Sequence, residues 1–269
     1  KTLCIDTLST KRQKPLKIQA QYFSFKGVTQ FQTKEQTGIQ LAKYFLGRAR
    51  SGQTADHDPR LRRQAEHGPP KYNVIYVIDS SSSISNVDFR LALKAIGYLT
   101  LKARHDTKYA AVMFSTDAEV ISTFTTPKAI LRRLKSVQRE RGGTNIYDAL
   151  KACSELFNNP SSGFNPEALN RILIITDGLA NMKQSKTLTE ALQLKLNNTE
   201  IFVVAVGHYL YGLTEISFLA TSQESHVFRV KTMKGLFDVT KWIPYDFNGY
   251  INGYNRKNHQ NDVDNTKDI

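Results

Sequence analysis

A short apolar run, residues 74–78 (Val-Ile-Tyr-Val-Ile), ends abruptly in Asp79-Ser80-Ser81-Ser82-Ser83. No other stretch constrains the fold as strongly. An unbroken run of β-branched and aromatic residues suits a strand buried on both faces, the kind that parallel sheets use. The polar run then falls at the strand's C-terminal end, where open α/β sheets place their ligands. Asp79, Ser81 and Ser83 form an Asp-x-Ser-x-Ser array. One carboxylate and two hydroxyls, two residues apart on a turning loop, can aim hard oxygens at one centre. Such donors select Mg²⁺, Mn²⁺ or Ca²⁺ over softer metals. Without further context, the same array also describes a solvated serine-rich turn.

From residue 72 onward, strand-like and helix-like stretches alternate. Strands are expected at 73–79, 109–114, 118–124 (an edge strand), 172–176, 201–206 and 227–230. Helices are expected at 86–103, 128–137, 145–157, 188–196, 213–220 and 233–242, from their apolar spacing. This alternation predicts an α/β fold, a doubly wound and mostly parallel sheet flanked by helices. Before it, Thr33-Lys34-Glu35-Gln36 fits a capping box and opens a helix over 34–46 that Gly47 ends. The domain plan is therefore the end of a preceding module with one β-like patch over 1–30, a helix and basic linker over 31–70, the α/β domain over 71–244, and a polar tail over 245–269.

Two later loops sharpen the reading of the first. Arg141-Gly142-Gly143-Thr144-Asn145 precedes a helix; its paired glycines permit close backbone approach, and Thr144 presents a hydroxyl. Either Thr144 or Asn145 can serve as the helix N-cap. Thr176-Asp177-Gly178 ends a buried strand, which puts the Asp177 carboxylate at the same sheet edge as Asp79 if the two strands run parallel. Asp177 also fits a plain turn before Gly178. Taken together and in this order, the three loops resemble the metal-ion-dependent adhesion site (MIDAS) of the von Willebrand factor type A family, over about residues 72–242. The resemblance implies a Rossmann-like fold and a divalent ion, Mg²⁺ first and Mn²⁺ or Ca²⁺ otherwise. Ser81, Ser83 and Thr144 would bind the ion directly, and Asp79 and Asp177 directly or through water. One position would stay open for a partner's Glu or Asp. Three of the five side chains are neutral, so the ion would remain attractive to an incoming carboxylate. This is recognition rather than catalysis: metal-assisted hydrolysis needs a general base beside the bound water, and the sequence offers none.

Bulk properties limit the partners. The 269 residues carry a net charge of +13, and residues 1–70 hold 13 Lys/Arg against 5 Asp/Glu. That favours polyanionic partners such as acidic glycans or an acidic matrix protein, unless the charge only solvates the surface. A basic helix over 128–141 (Lys128, Arg132, Arg133, Lys135, Arg139, Arg141) belongs to the same picture. No aromatic residues are interleaved with these charges, which argues against a single-stranded nucleic-acid platform. No apolar run reaches the length of a membrane span. Of the two cysteines, Cys4 and Cys153, neither has a metal-ligand spacing; Cys153 falls on a helix and reads as a buried thiol. The start at Lys1 reads as a processed or partial chain. Arg60, Arg62 and Arg63 form a trypsin-like cleavage candidate in the linker, and Asn197-Asn198-Thr199 is an N-glycosylation acceptor that fits secretion.

Within the type A superfamily, the chain is similar to the linker-plus-type-A segment of the complement factor B family. The similarity rests on the helix and basic linker, the 73–79 strand, Thr176-Asp177-Gly178-Leu179-Ala180-Asn181-Met182, and His226-Val227-Phe228-Arg229-Val230-Lys231-Thr232-Met233. It implies that Cys4 closes a sushi module and that the linker is cleaved within 60–63. That family carries a serine-protease domain after the type A domain, and this chain has no Gly-Asp-Ser-Gly-Gly-like segment. Three functions compete. The first is a secreted, non-enzymatic matrix or adhesion protein, of the kind that combines sushi and type A modules in shell and skeletal matrices. The second is the non-catalytic part of a complement-like zymogen that binds a thioester complement protein. The third is an intracellular chelatase-type module, which the sushi-like flank disfavours.

Overall fold

A computed structural model describes residues 31–48, 70–178, 180–208 and 213–243. The expected end of a preceding module with its β-like patch, Cys4, Arg60, Arg62, Arg63 and the polar tail lie outside these residues. The described chain opens with α1 (Lys34–Gln40), which runs into a π turn (Leu41–Phe45). The alternating elements follow: β1 (Tyr72–Asp79), α2 (Asn86–Lys102), β2 (Lys108–Phe114), β3 (Ala118–Thr125), α3 (Pro127–Ser136), α4 (Ile146–Asn158), β4 (Leu169–Thr176), α5 (Gln184–Leu196), β5 (Thr199–Val206), α6 (Leu213–Leu219), α7 (Gln223–His226), β6 (Val227–Val230) and α8 (Met233–Trp242).

The strands form one six-stranded sheet in the order β3-β2-β1-β4-β5-β6. All neighbours pair in parallel except β2 and β3, so the expected edge strand is the antiparallel one. Every residue of β1 is buried. Its side chains alternate between two cores as the pleat requires. Val74, Tyr76 and Ile78 join α2, α3 and α8 on one face, and Ile75 and Val77 join α4, α5 and α6 on the other. The chain leaves β1 toward β2 and returns to β4 on the other side. The switch point of the sheet therefore lies at the C-terminal ends of β1 and β4, the place such sheets reserve for ligands.

The helix over 34–46 is more than a leader. Thr33 caps it with the expected reciprocal pair, Gln36 N–H to Thr33 Oγ1 at 3.2 Å and Thr33 N–H to Gln36 Oε1 at 3.0 Å. Its last turn widens, with Leu46 N–H reaching Leu41 O at 2.9 Å, and Gly47 ends it at φ 70°. Leu41, Phe45 and Leu46 enter the same core as α2 and α8. Gly38 lets α1 sit against α8, since a Cβ there would lie 2.8 Å from Trp242 Cε3. Lys34 pairs with Asp238 at 2.9 Å.

The widened turn also aims the Phe45 carbonyl at Arg171, whose Nη1 donates to it at 2.5 Å. Arg171 is the largest fully buried side chain. Its Nε binds Glu200 Oε2 at 2.8 Å across the β4–β5 pair, and its guanidinium lies 3.7 Å over the Tyr72 ring. A buried charge tolerates this position only because each side of its fork is matched. Replacing Arg171 with Met keeps the stem and removes the fork, leaving Glu200 and the Phe45 carbonyl without it. Urea denaturation is expected to show a loss of about 3 kcal/mol, as for other broken buried pairs. A loss under about 0.5 kcal/mol would mean that the helix is held by apolar contact alone.

Candidate metal centre

Three loops meet at the switch point. The first leaves β1 at Asp79, which is 2% exposed. Asp79 Oδ1 accepts the Ser81 N–H at 2.8 Å, and Oδ2 accepts the Thr176 hydroxyl at 2.5 Å. Ile78 pairs with Ile175, so Thr176 stands beside Asp79 through sheet register alone. Ser80 anchors the turn by giving both its N–H and its hydroxyl to the Phe114 carbonyl, at 2.8 and 3.0 Å. The loop then turns the Ser81 and Ser83 hydroxyls toward each other, 3.0 Å apart, and Ser83 donates to Asp177 Oδ1 at 2.8 Å. Asp79, Ser81, Ser83 and Asp177 thus form one connected cluster.

The second loop is fastened to both others. Ser82 and Gly142 exchange two bonds of 3.1 Å, from Ser82 N–H to Gly142 O and from Gly142 N–H to Ser82 Oγ. Thr144 N–H donates to Asn181 Oδ1 at 2.8 Å, and Asn181 N–H returns to Thr144 O at 3.1 Å. The paired glycines serve these loop contacts rather than a ligand: a Cβ on Gly142 would strike Thr116, and one on Gly143 would lie 2.7 Å from Met182 Sδ. Asn145, not Thr144, caps α4, accepting Asp148 N–H at 3.2 Å. The Thr144 hydroxyl is left with no protein hydrogen bond among the described residues. It sits in a residue that is only 6% exposed.

Burial raises the pKa of both carboxylates. For Asp79, loss of water outweighs the bonds from Ser81 and Thr176, and the neighbouring Asp177 charge adds to the rise. For Asp177, burial again leads, countered by Ser83 and its own backbone N–H, with Asp88 adding to the rise. Two carboxylates short of positive charge, two serine hydroxyls and an unspent threonine oxygen are a donor set that a hard divalent cation would complete. Among the described residues there is no cluster of three or more His, Cys, Asp or Glu, so the hydroxyls are essential to any such site.

The other sequence-marked residues lie elsewhere. Asn197 is exposed at the end of α5, with Thr199 buried at the start of β5. Cys153 is a free, buried thiol on α4 whose pKa burial pushes up. The basic run over 128–141 is not one helix. Helix α3 ends at Ser136 and Val137 turns extended, so Arg139 and Arg141 leave the helix and approach the Ser83 loop. Of the residues that build the scaffold, Thr176 and Asn181 stand out in the sequence only as neighbours of the motif residues, and Thr116, in the turn between β2 and β3, has no motif beside it.

Two measurements test this geometry. The folded domain holds the protons of Asp79 and Asp177 more tightly than the unfolded chain. Without metal, its stability is therefore expected to fall as pH rises from the ordinary carboxylate range through the raised values. An ion needs both groups ionised, so the Tm gain from saturating Mg²⁺ or Mn²⁺ is expected to be larger at about pH 7.5 than at about pH 4.5. Thr144→Val removes only the hydroxyl. By calorimetry it is expected to weaken ion binding about tenfold or more, with metal-free stability unchanged or higher by about 1 kcal/mol. Ion affinity equal to wild type would remove Thr144 from the site.

Comparison with known proteins bears on this site. A sequence model of the von Willebrand factor type A domain matches residues 73–242. Cochlin from Cavia porcellus is 27% identical over 191 residues, covering 65% of this chain and 32% of cochlin. Complement C2 from Bos taurus is 25% identical over 195 residues, covering 62% of this chain and 26% of that protein. The chain thus spans about a third or less of these relatives. Proximal thread matrix protein 1 from the mussel byssus superposes with a TM-score of 0.59 at 20% identity, over 65% of this chain and 47% of that one. A structure of the same mussel protein with a zinc-occupied MIDAS motif gives 0.59 at 21% identity, over the same shares. At such identities the superpositions speak for the fold alone. The family match takes in well over half of the chain, including the sheet and all three loops: the chain belongs to the von Willebrand factor type A family.

Proposed function

We propose that this chain is a secreted, non-enzymatic adhesion or matrix protein whose type A domain binds an acidic protein partner through a divalent ion. Asp79, Ser81, Ser83, Thr144 and Asp177 would hold the ion, with Mg²⁺ as the first choice and Mn²⁺ or Ca²⁺ as alternatives. The observation that carries this reading is the convergence of three loops on one connected set of hard oxygens at the switch point. When bound, the ion would supply positive charge and an open position for a partner's Glu or Asp carboxylate.

The chain's own residues do the rest. Thr176 and the Ser81 N–H fix the Asp79 carboxylate, so it needs no reorganisation on binding. The Ser82–Gly142 and Thr144–Asn181 pairs hold the second loop against the first and third. The Ser81 and Ser83 hydroxyls can exchange their mutual bonds for bonds to a cation without moving the backbone. A matrix setting is supported by the exposed acceptor Asn197 and by the basic charge. No helix among the described residues is long and apolar enough to cross a membrane.

A second reading is favoured by the similarity to complement C2 and by the N-terminal helix docked on α8. In it the chain is the non-catalytic part of a complement-type zymogen, with a cleavable linker at Arg60, Arg62 or Arg63, that binds a thioester complement protein. A serine-protease domain encoded in the same transcript would decide for it.

Calorimetry with Mg²⁺ and Mn²⁺ on the wild type and Asp79→Ala tests the ion. Binding in the roughly micromolar to millimolar range, as oxygen-ligand sites of this kind span, is expected for the wild type and none for the variant. Equal heats from both proteins would sink the metal-bridged mechanism.

A further inference from the structure

Next to the Ser83 loop lies an open cleft of about 450 Å³, lined by Ser82, Ser83, Ile84, Ser85, Asn86, Arg139 and Arg141. It borders the proposed ion site through Ser83, yet it is a separate space. No carboxylate lines it. The acid between the two arginines, Glu140, accepts the Ser115 hydroxyl at 3.1 Å, and the acid nearest along the first loop, Asp88, accepts the Ser85 hydroxyl at 2.7 Å. Neither Arg139 nor Arg141 has an ion pair or hydrogen bond among the described residues. Arg139 is the more telling of the two: its side chain is half-buried, and its Nε is shut off from solvent without a partner. Leaving a buried guanidinium N–H unsatisfied is costly, and two adjacent cations repel each other. An anion in the cleft would relieve that repulsion, and would reach the shielded Nε only with a turn of the Arg139 side chain.

Resting on the metal-bridged reading, we infer that this cleft is a second anchor for the same partner and takes a second carboxylate of an acidic peptide whose first carboxylate meets the ion. Three features favour that occupant. The planar guanidinium fork matches a carboxylate bidentately, so both anchors select the same chemical group. The cleft is open to solvent and, at about 450 Å³, has room for an acidic side chain together with its flanking backbone. Ser82 and Ser85 add hydroxyls to its rim, suited to the backbone of an extended segment. A single acidic side chain would use one anchor; a segment with closely spaced Asp or Glu would use both and gain from their proximity. The site would then prefer acidic runs over isolated carboxylates.

The test uses a fluorescein-labelled oligo-aspartate peptide and a glycine–serine peptide of the same length carrying one glutamate. Binding to the full chain is read by anisotropy in Mg²⁺ or Mn²⁺, with and without EDTA. Arg139→Gln/Arg141→Gln is expected to weaken oligo-aspartate binding about tenfold, as two partly exposed ion pairs would allow. It should leave the single-glutamate peptide and the ion affinity unchanged, which also shows that the variant is folded. EDTA should abolish the binding of both peptides. Oligo-aspartate binding that is EDTA-sensitive but indifferent to the arginines overturns the second anchor and leaves the metal bridge standing. Binding that needs the arginines but survives EDTA overturns the two-anchor arrangement together with the metal bridge. Failure of both peptides to bind the wild type overturns both as well. Heparin binding that needs the arginines and survives EDTA, alongside an unaffected oligo-aspartate, overturns the inference in favour of a sulfated glycan.

Discussion

The buried carboxylate of Asp79 is the constraint on which the rest of this molecule turns. A carboxylate removed from water is tolerated only when its oxygens are matched. Here one oxygen takes the Ser81 N–H and the other the Thr176 hydroxyl. The first bond depends on how the chain turns as it leaves β1. The second depends on β1 and β4 being adjacent, parallel and in the register that places Ile78 opposite Ile175. A slip of one residue would put an apolar side chain where the hydroxyl stands. Sheet order, strand direction and register are thus all written into one side chain's hydrogen bonds. The mutual dependence also runs the other way: the site exists only because two strands distant in sequence end side by side.

A second set of polar contacts ties the N-terminal helix into the same body. Arg171 joins the Phe45 carbonyl, Glu200 and the Tyr72 ring, and Arg48 reaches the Lys102 carbonyl. Lys102 in turn donates from its amine to the Thr240 and Lys241 carbonyls near the end of α8, at 2.5 and 2.8 Å, although burial and the nearby Arg48 charge lower its pKa to about 7. A cation near a helix C-terminus is favourable for both the dipole and the open carbonyls. Helices α1, α2 and α8 are therefore coupled by buried hydrogen-bonded basic side chains as well as by apolar packing. All of them lie on one face of the sheet, whereas α4, which follows the Thr144 loop, lies on the other.

The sequence made the strands plain because burial on both faces leaves unbroken apolar runs. Helices with a Ser, Thr or Asn cap were equally plain, and α2, α4 and α8 begin within a residue of their expected starts. Helix α5 was read four residues short because it starts after Lys183, in the left-handed region and without a capping side chain. Helix α3 ends within a residue of its expected end at 137, and only the extension of a basic helix to Arg141 fails. The basic spacing continues through Arg139 and Arg141, and no Gly or Pro marks the exit at Val137. The five oxygen-bearing residues proposed for the site were named from their loops, and the structure connects four of them, Asp79, Ser81, Ser83 and Asp177, by hydrogen bonds. What could not be read was that Asn145 takes the capping duty and leaves the Thr144 hydroxyl unspent, since both residue types cap well. Nor could a contact between residues 126 positions apart, Arg171 and Phe45, leave any local trace.

These features together set how energy is distributed between the empty fold and a filled site. Without an ion the domain holds two partly desolvated carboxylates whose pKa values are raised, a threonine hydroxyl with no protein partner among the described residues, and a shielded arginine N–H. Each is unfavourable for the fold on its own and becomes favourable with the right counter-charge. The backbone around them is fixed by the Ser82–Gly142 and Thr144–Asn181 exchanges, so the unfavourable terms cannot relax away by loop movement. Opposite charges, positive for the carboxylates and negative for the arginines, are wanted within one short stretch of surface. In the proposed metal-bridged arrangement, a cation that draws in an acidic chain would answer both demands at once. Binding energy would then come largely from relieving electrostatic strain already built into the fold, with little new ordering to offset it.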